Sequence, residues 1–206
     1  MKRRGDAVVK RAGSKKERLL PGRLARSNPL SELPPWDASS GNLHVVVDTP
    51  KGSAIKFKFE LEKGCYTIAH ILPPGAVFPF DFGSIPSTAA ADGDPLDVLI
   101  LMEEPSFAGC LVPVRLIGVL EAKQTQEGKT NRNDRLIGVA AESRAYRDLL
   151  AIQDVPKHLL EEIEHFFVSY NKERGRAFKI LGRSGPTRAA RLVRAAERQF
   201  QKKNKS

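Results

Sequence analysis

Between Leu43 and Ala140 the chain alternates short apolar, β-branched runs with Gly- and Pro-bearing turns, and no apolar stripe recurs there at the helical period. Leu43 to Asp48, Lys56 to Glu60, Cys65 to Ile71, Val98 to Met102, Leu111 to Leu120 and Leu136 to Ala140 each read as strands. Pro50-Lys51-Gly52-Ser53 supplies a turn, so the first two runs are expected to form a strand pair. The alternation Lys56-Phe57-Lys58-Phe59-Glu60 leaves that pair one wet face. Such spacing suits a small closed barrel rather than alternating βα units. Gln124 to Asp134 has no apolar residue and is expected to be a polar loop between the last two strands. Helical periodicity arrives only after Asp154. Leu159, Leu160, Ile163, Phe166, Phe167 and Tyr170 fall on one stripe behind Pro156, and a second helix is expected from Thr187 to about Gln201 with Leu192, Ala196 and Phe200 as its apolar edge.

The 206 residues suffice for one buried core, and 41% hydrophobic content argues against a wholly disordered chain. No apolar run approaches the roughly 20 residues that cross a bilayer, and the basic N-terminus lacks the apolar stretch of a secretory signal. A soluble, cytoplasmic protein with no membrane partner is the expectation. Cys65 and Cys110 form no Cys-x-x-Cys pair and read as buried packing thiols in a reducing compartment. The net charge of +10 is unevenly spread: residues 1–26 carry ten Lys/Arg against Asp6 and Glu17, and residues 172–206 carry twelve against Glu173 and Glu197, so the middle is acidic. Positive charge confined to the ends reads as a solvated arm, or as a contact for polyanions. The expected domains are a basic N-terminal arm at 1–30, a barrel domain at 31–180, and a C-terminal basic helix and tail at 181–206. Trp36 closes a Pro/Ser-rich linker and reads as a packing anchor; His44, His158 and His165 read as structural.

The chemistry concentrates in Asp92-Gly93-Asp94-Pro95-Leu96-Asp97-Val98. Three carboxylates on a Gly/Pro turn repel one another unless a cation neutralises them, and Mg²⁺ suits such oxygen ligands. The alternative is an Asp-rich turn with no ligand. The spacing does not fit an EF-hand loop, and the chain has neither a Walker A sequence nor Gly-x-Ser-x-Gly.

With its surroundings, this run resembles the signature of the family I soluble inorganic pyrophosphatases, Asp-x-Asp-Pro-apolar-Asp-apolar. Val45 to Ser53, Phe78 to Thr88, Pro113 to Leu120 and Ile163 to Tyr170 are similar to further blocks of that family, in unbroken order from about Leu43 to Tyr170. The resemblance implies a mainly β, α+β fold: a small closed five-stranded, OB-like barrel with two C-terminal helices. It implies hydrolysis of inorganic diphosphate with several Mg²⁺ ions, and a homo-oligomer. By position it implies that Asp92, Asp97 and Asp48 ligate metal and that Asp94 takes a proton from the attacking water. Lys56, His70, Arg135 and Tyr170 would meet the substrate, Lys56 also serving catalysis.

Departures from the family pattern accompany the match. His70 stands at a phosphate-binding arginine, Phe78 and Phe82 at tyrosines, Lys58 at a glutamate, and Asn171 and Arg135 at lysines. Gln124 and Asn133 stand at metal-binding aspartates; Asn133, Asp134 or Glu127 is expected to make up a ligand there. These departures are expected to weaken metal binding and slow turnover. Two other functions stay open on the same fold: a weakened protein that binds polyphosphate or other polyanions, and a hydrolase of another phosphoanhydride.

Overall fold

The computed structural model describes residues 29–60, 63–91 and 93–204. Residues 1–28 of the arm expected at 1–30, and Asp92, therefore lie outside the described residues. In chain order the elements are α1 (Pro29–Glu32), β1 (Leu43–Thr49), β2 (Ile55–Glu60), β3 (Cys65–Ile71), β4 (Asp81–Ser84), β5 (Asp97–Leu101), β6 (Leu111–Gln126), β7 (Lys129–Arg132), β8 (Arg135–Ala140), α2 (Lys157–Glu173), β9 (Ala177–Ser184) and α3 (Pro186–Lys203).

Five strands close into a ring in the order β1, β4, β5, β8, β6 and back to β1. All neighbours are antiparallel except β5 and β8. Closure leaves no unpaired edge between these strands. β6, sixteen residues long, makes closure possible because its first half serves β1 and β8 while its second half carries β9 and β7 outside the ring. Register shifts at Leu116/Gly118 and at Glu121/Ala122 accompany this change of partners. Gly118 sits at the first shift, where a Cβ would lie 2.6 Å from Ile152 Cβ and 2.8 Å from the Ser184 carbonyl.

The ring strands are covered on both faces. Leu99 and Leu101 join Phe78, Phe82, Ile117, Ile163 and Phe167 under α2, whereas Val98 and Ile100 join Val45, Val47, Val114, Ala189 and Val193 under α3. Double burial explains why Val98 to Leu101 is continuously apolar rather than alternating. The α2 stripe lies as expected, with Leu160, Ile163 and Phe167 fully buried. The α3 seam is smaller than expected: Ala189, Val193 and Ala196 are buried, while Leu192 and Phe200 are half-buried. Small side chains let the helix approach the sheet closely. Residues 181–206 enter through the end of β9, which pairs with β6.

Three sequence expectations are corrected. β2 does not pair with β1 but with β3, in a separate two-stranded sheet. The short Pro50 turn redirects the chain because both edges of β1 are already taken, by β4 and β6. The segment from Gln124 to Asp134 is mostly a hairpin: β6 runs to Gln126, reverses at Glu127 (φ 50) and Gly128 (φ 74), and returns as β7. With β7 exposed throughout, no apolar alternation announces it. Cys65 is exposed and Cys110 half-buried, because Cys65 opens β3 in the less covered sheet. Trp36 does anchor the linker, through a bridge to Leu43 and packing against the α3-side core. No described helix is long and apolar enough to cross a membrane.

Candidate active site

The ring brings side chains from distant segments into one row. Ser84 of β4 is opposite Asp97 at the start of β5, and the parallel register of β5 with β8 sets Asp97 beside Arg135. Asp48, near the end of β1, accepts a 2.7 Å hydrogen bond from Ser84 Oγ. An Arg135 guanidinium nitrogen pairs with Asp97 Oδ2. Buried Asp48 has its pKa raised to about 6, chiefly because burial penalises its charge; Lys56 and the Ser84 hydroxyl oppose the rise.

β2 brings two lysines over this row. Lys56 Nζ lies 3.9 Å from the Phe82 ring centroid and 5.8 Å from that of Phe78. Burial lowers its pKa, against the pull of Asp97 and Asp48. The two phenylalanines thus give the ammonium an aromatic floor without hydroxyls. Lys58 Nζ reaches Asp94, 3.1 Å from Oδ2. The Asp94 turn is shaped by Gly93 at φ +91, by the Ala90 N–H on the Asp94 carbonyl at 2.7 Å, and by the Leu96 N–H on Thr88 Oγ1. The end of α3 braces it: Gln199 Nε2 donates to the Ala90 carbonyl at 3.0 Å, and the Ala89 N–H to that of Ala196.

The opposite wall is aromatic and cationic. Tyr170 of α2 stacks on Phe166 with centroids 5.7 Å apart and meets Phe78 and His70 edge-on. His70 is the β3 partner of Lys56 in the two-stranded sheet. Arg174, the residue after α2, donates to Tyr170 Oη at 2.9 Å. Arg176 stands beside it, with its pKa lowered by burial and then by Arg174.

Of the residues singled out in the sequence, Asp48, Lys56, His70, Asp94, Asp97, Arg135 and Tyr170 thus surround one locus. Asn133 and Asp134 hydrogen-bond within the hairpin. Asn133 Nδ2 donates to Gln124 Oε1, and Asp134 Oδ1 accepts from Arg132 Nε at 2.6 Å and from the Ala122 N–H at 3.0 Å. Asp134 in this arrangement secures the base of the hairpin. Ser84, Lys58 as the partner of Asp94, and the pair Arg174 and Arg176 were missed. The i to i+4 step from Tyr170 to Arg174, followed by the Gly175 helix stop, is the signal that could have found the last two.

Among the described residues, no three His, Cys, Asp or Glu side chains are grouped to hold one metal ion. The donor chemistry nevertheless fits a hard divalent cation. Asp48, Asp94 and Asp97 offer only carboxylate oxygens, and burial penalises the charge of Asp48, a cost that a bound cation would offset. Lys58 and Arg135 take up the carboxylates of Asp94 and Asp97, contacts that a bound cation would have to displace.

The sequence profile of the inorganic pyrophosphatase family matches residues 45–201. The inorganic pyrophosphatase of Geobacillus stearothermophilus is 35% identical over 151 residues, 73% of this chain and 89% of that protein. That of Thermus thermophilus is 35% identical over 169 residues, 81% and 94% of the two chains. The crystal structure of the inorganic pyrophosphatase from Thermus thermophilus superposes with a TM-score of 0.76 at 33% identity, covering 84% of this chain and 99% of the other. The Helicobacter pylori inorganic pyrophosphatase superposes with a TM-score of 0.74 at 28% identity, covering 83% and 99%.

Proposed function

The chain belongs to the inorganic pyrophosphatase family, and from that premise we propose that the locus around Lys56 is where it hydrolyses inorganic diphosphate to two phosphates. The enzyme is an inorganic diphosphatase of the five-stranded barrel type. Metal dependence comes with the family; the use of several Mg²⁺ ions, held by Asp48, Asp92 and Asp97, is our reading. Magnesium at these carboxylates would neutralise part of the diphosphate charge and acidify the attacking water.

The chain's own groups have distinct roles in this reading. Asp94, an exposed carboxylate on a hydrogen-bonded turn, takes the proton as the water oxygen attacks phosphorus. The bridging P–O bond breaks, and the leaving oxygen departs as the second phosphate. Lys56, Arg135, Tyr170 and His70 bind the phosphoryl oxygens, with Lys56 facing the charge that develops on the leaving side. Asn133 enters its hairpin hydrogen bond through Nδ2 and Asp134 its two through Oδ1, so Asn133 Oδ1 and Asp134 Oδ2 are the atoms that would meet a metal.

The observation that carries this reading is Lys56, a buried ammonium that faces Asp48 and Asp97 from an aromatic floor. Phosphate release from diphosphate, measured with Mg²⁺ and with chelator, tests it. Activity should need the metal and disappear in Asp94→Asn and Asp97→Asn; full activity in both variants would refute the assigned site.

A homo-oligomer is supported by large apolar side chains left in solvent, including Ile68, Ile71 and Phe107. Contact with polyanions is supported by the exposed Arg191, Arg194 and Arg198 along α3. A cytoplasmic location is supported by two thiols that form no disulfide.

A further inference from the structure

We infer that Arg174 is a substrate-gripping residue of this enzyme, supplying the permanent cation that positions 70 and 171 do not. The inference rests on the diphosphate-hydrolysing reading of the locus. Position 171 cannot supply it, since Asn171 is 1% exposed and its Nδ2 donates back to the Phe167 carbonyl at 2.8 Å. Its side chain caps its own helix and faces the core. Position 70 carries an imidazole, which has no bidentate fork of N–H donors to grip phosphate as a guanidinium does.

Arg174 lies one helical turn beyond Tyr170, where α2 has ended and the backbone turns through Gly175 at φ +66. The turn is held by the Arg176 N–H on the Asn171 carbonyl at 3.0 Å, so Arg174 is presented by an ordered corner. Its Nη1 lies 2.9 Å from Tyr170 Oη, and its Cζ 5.5 Å from the Tyr170 ring centroid. The same ring is 5.6 Å from Phe78, against which Lys56 Nζ lies. Arg174 and Lys56 thus flank one aromatic wall.

The charge balance there calls for an anion. Burial, and then the charges of Arg135 and Arg174, lower the pKa of Lys56 and of Arg176, and among the described residues one of the four, Arg135, is ion-paired, with Asp97. The Nε atoms of Arg135 and Arg176 are buried with no hydrogen-bond partner. A condensed phosphate would neutralise this cluster and offer oxygens to the guanidinium fork. Because Tyr170 Oη accepts from Arg174, its own proton remains directed elsewhere, available to a phosphoryl oxygen.

The test uses the full chain, its Arg174→Ala and Arg174→Lys variants, steady-state hydrolysis of diphosphate with Mg²⁺, and calorimetric binding of imidodiphosphate, a non-hydrolysable analogue. Arg174→Ala should raise KM and weaken imidodiphosphate binding by about ten- to a hundredfold, as expected for loss of a charge-assisted hydrogen bond, with kcat changed much less. Arg174→Lys should recover part of the loss. Unchanged KM and imidodiphosphate affinity in Arg174→Ala, or a fall in kcat alone, would overturn the inference while leaving the diphosphatase reading intact. A parent chain that neither binds imidodiphosphate nor hydrolyses diphosphate would overturn that reading instead. If Arg174→Ala melts below the assay temperature, Arg174→Gln, which keeps the stem, is held to the same outcomes.

Discussion

Lys58 holds Asp94 through both carboxylate oxygens, its Nζ 3.1 Å from Oδ2 and 3.3 Å from Oδ1. The ammonium therefore competes with any metal ion for the carboxylate assigned to proton transfer. Both groups are half-exposed, so the competition is modest and salt-dependent. Lys58→Ala should tighten Mg²⁺ binding several-fold in a calorimetric titration at low salt, with the difference shrinking at high salt. Equal Mg²⁺ affinity in the two proteins would show that Lys58 does not compete.

Asp48 should leave a signature in the pH dependence of stability of the metal-free protein. Its folded pKa of about 6 lies above the ordinary carboxylate value of 3.8, so the fold disfavours its charged form. The penalty is fully present above pH 6 and is relieved as pH falls from 6 toward 4. From the two-unit shift it amounts to roughly 3 kcal/mol. Chemical denaturation in chelator should therefore give the parent protein, relative to Asp48→Asn, a gain in stability over that window. Parallel pH profiles for the two proteins would count against a buried, partly protonated Asp48.

Lys56 separates function from folding. The residue is half-buried, and its ammonium costs desolvation that Asp97 and Asp48 partly offset. Lys56→Met keeps the stem and discards the charge. Hydrolysis should fall by at least about a hundredfold, in line with loss of a preorganised cation facing transition-state charge, while the circular dichroism spectrum stays that of the parent. Retention of more than half the activity would remove Lys56 from the mechanism.

The turn bearing Asp94 depends on Gly93. At φ +91 any side chain is strained, and a Cβ there would sit 2.7 Å from Lys203 Nζ at the end of α3. Gly93→Ala should cost about 1 kcal/mol or more from backbone strain and push Lys203 aside. The larger effect falls on the site: activity should drop more than stability, with weaker Mg²⁺ binding. A melting temperature and a Mg²⁺ titration both matching the parent would show that the turn tolerates the change.

Much of the barrel is legible in local patterns because each strand announces itself through side chains that must face a core. Leu43 to Thr49 and Leu136 to Ala140 are of this kind, and so is the α2 stripe through Ile163 and Phe167. Where burial is sparse or the strand very short, the signal fails. β7 is exposed throughout, β9 mixes basic and apolar residues like a tail, and β4 is four residues long. The carboxylates of 92–97 could be read as one group because five peptide links hold them near one another in any conformation.

Contiguous residues alone therefore determined four of the five ring strands, the α2 helix and the acidic turn, since backbone geometry ties near neighbours together whatever the rest of the chain does. Tertiary structure alone decided that Arg135 meets Asp97 across 38 positions, that Lys58 meets Asp94 across 36, and that Arg174 reaches the aromatic wall shared with Lys56. Such meetings depend on which strand edges pair, and the alternation of side chains within one strand carries no information about its neighbour.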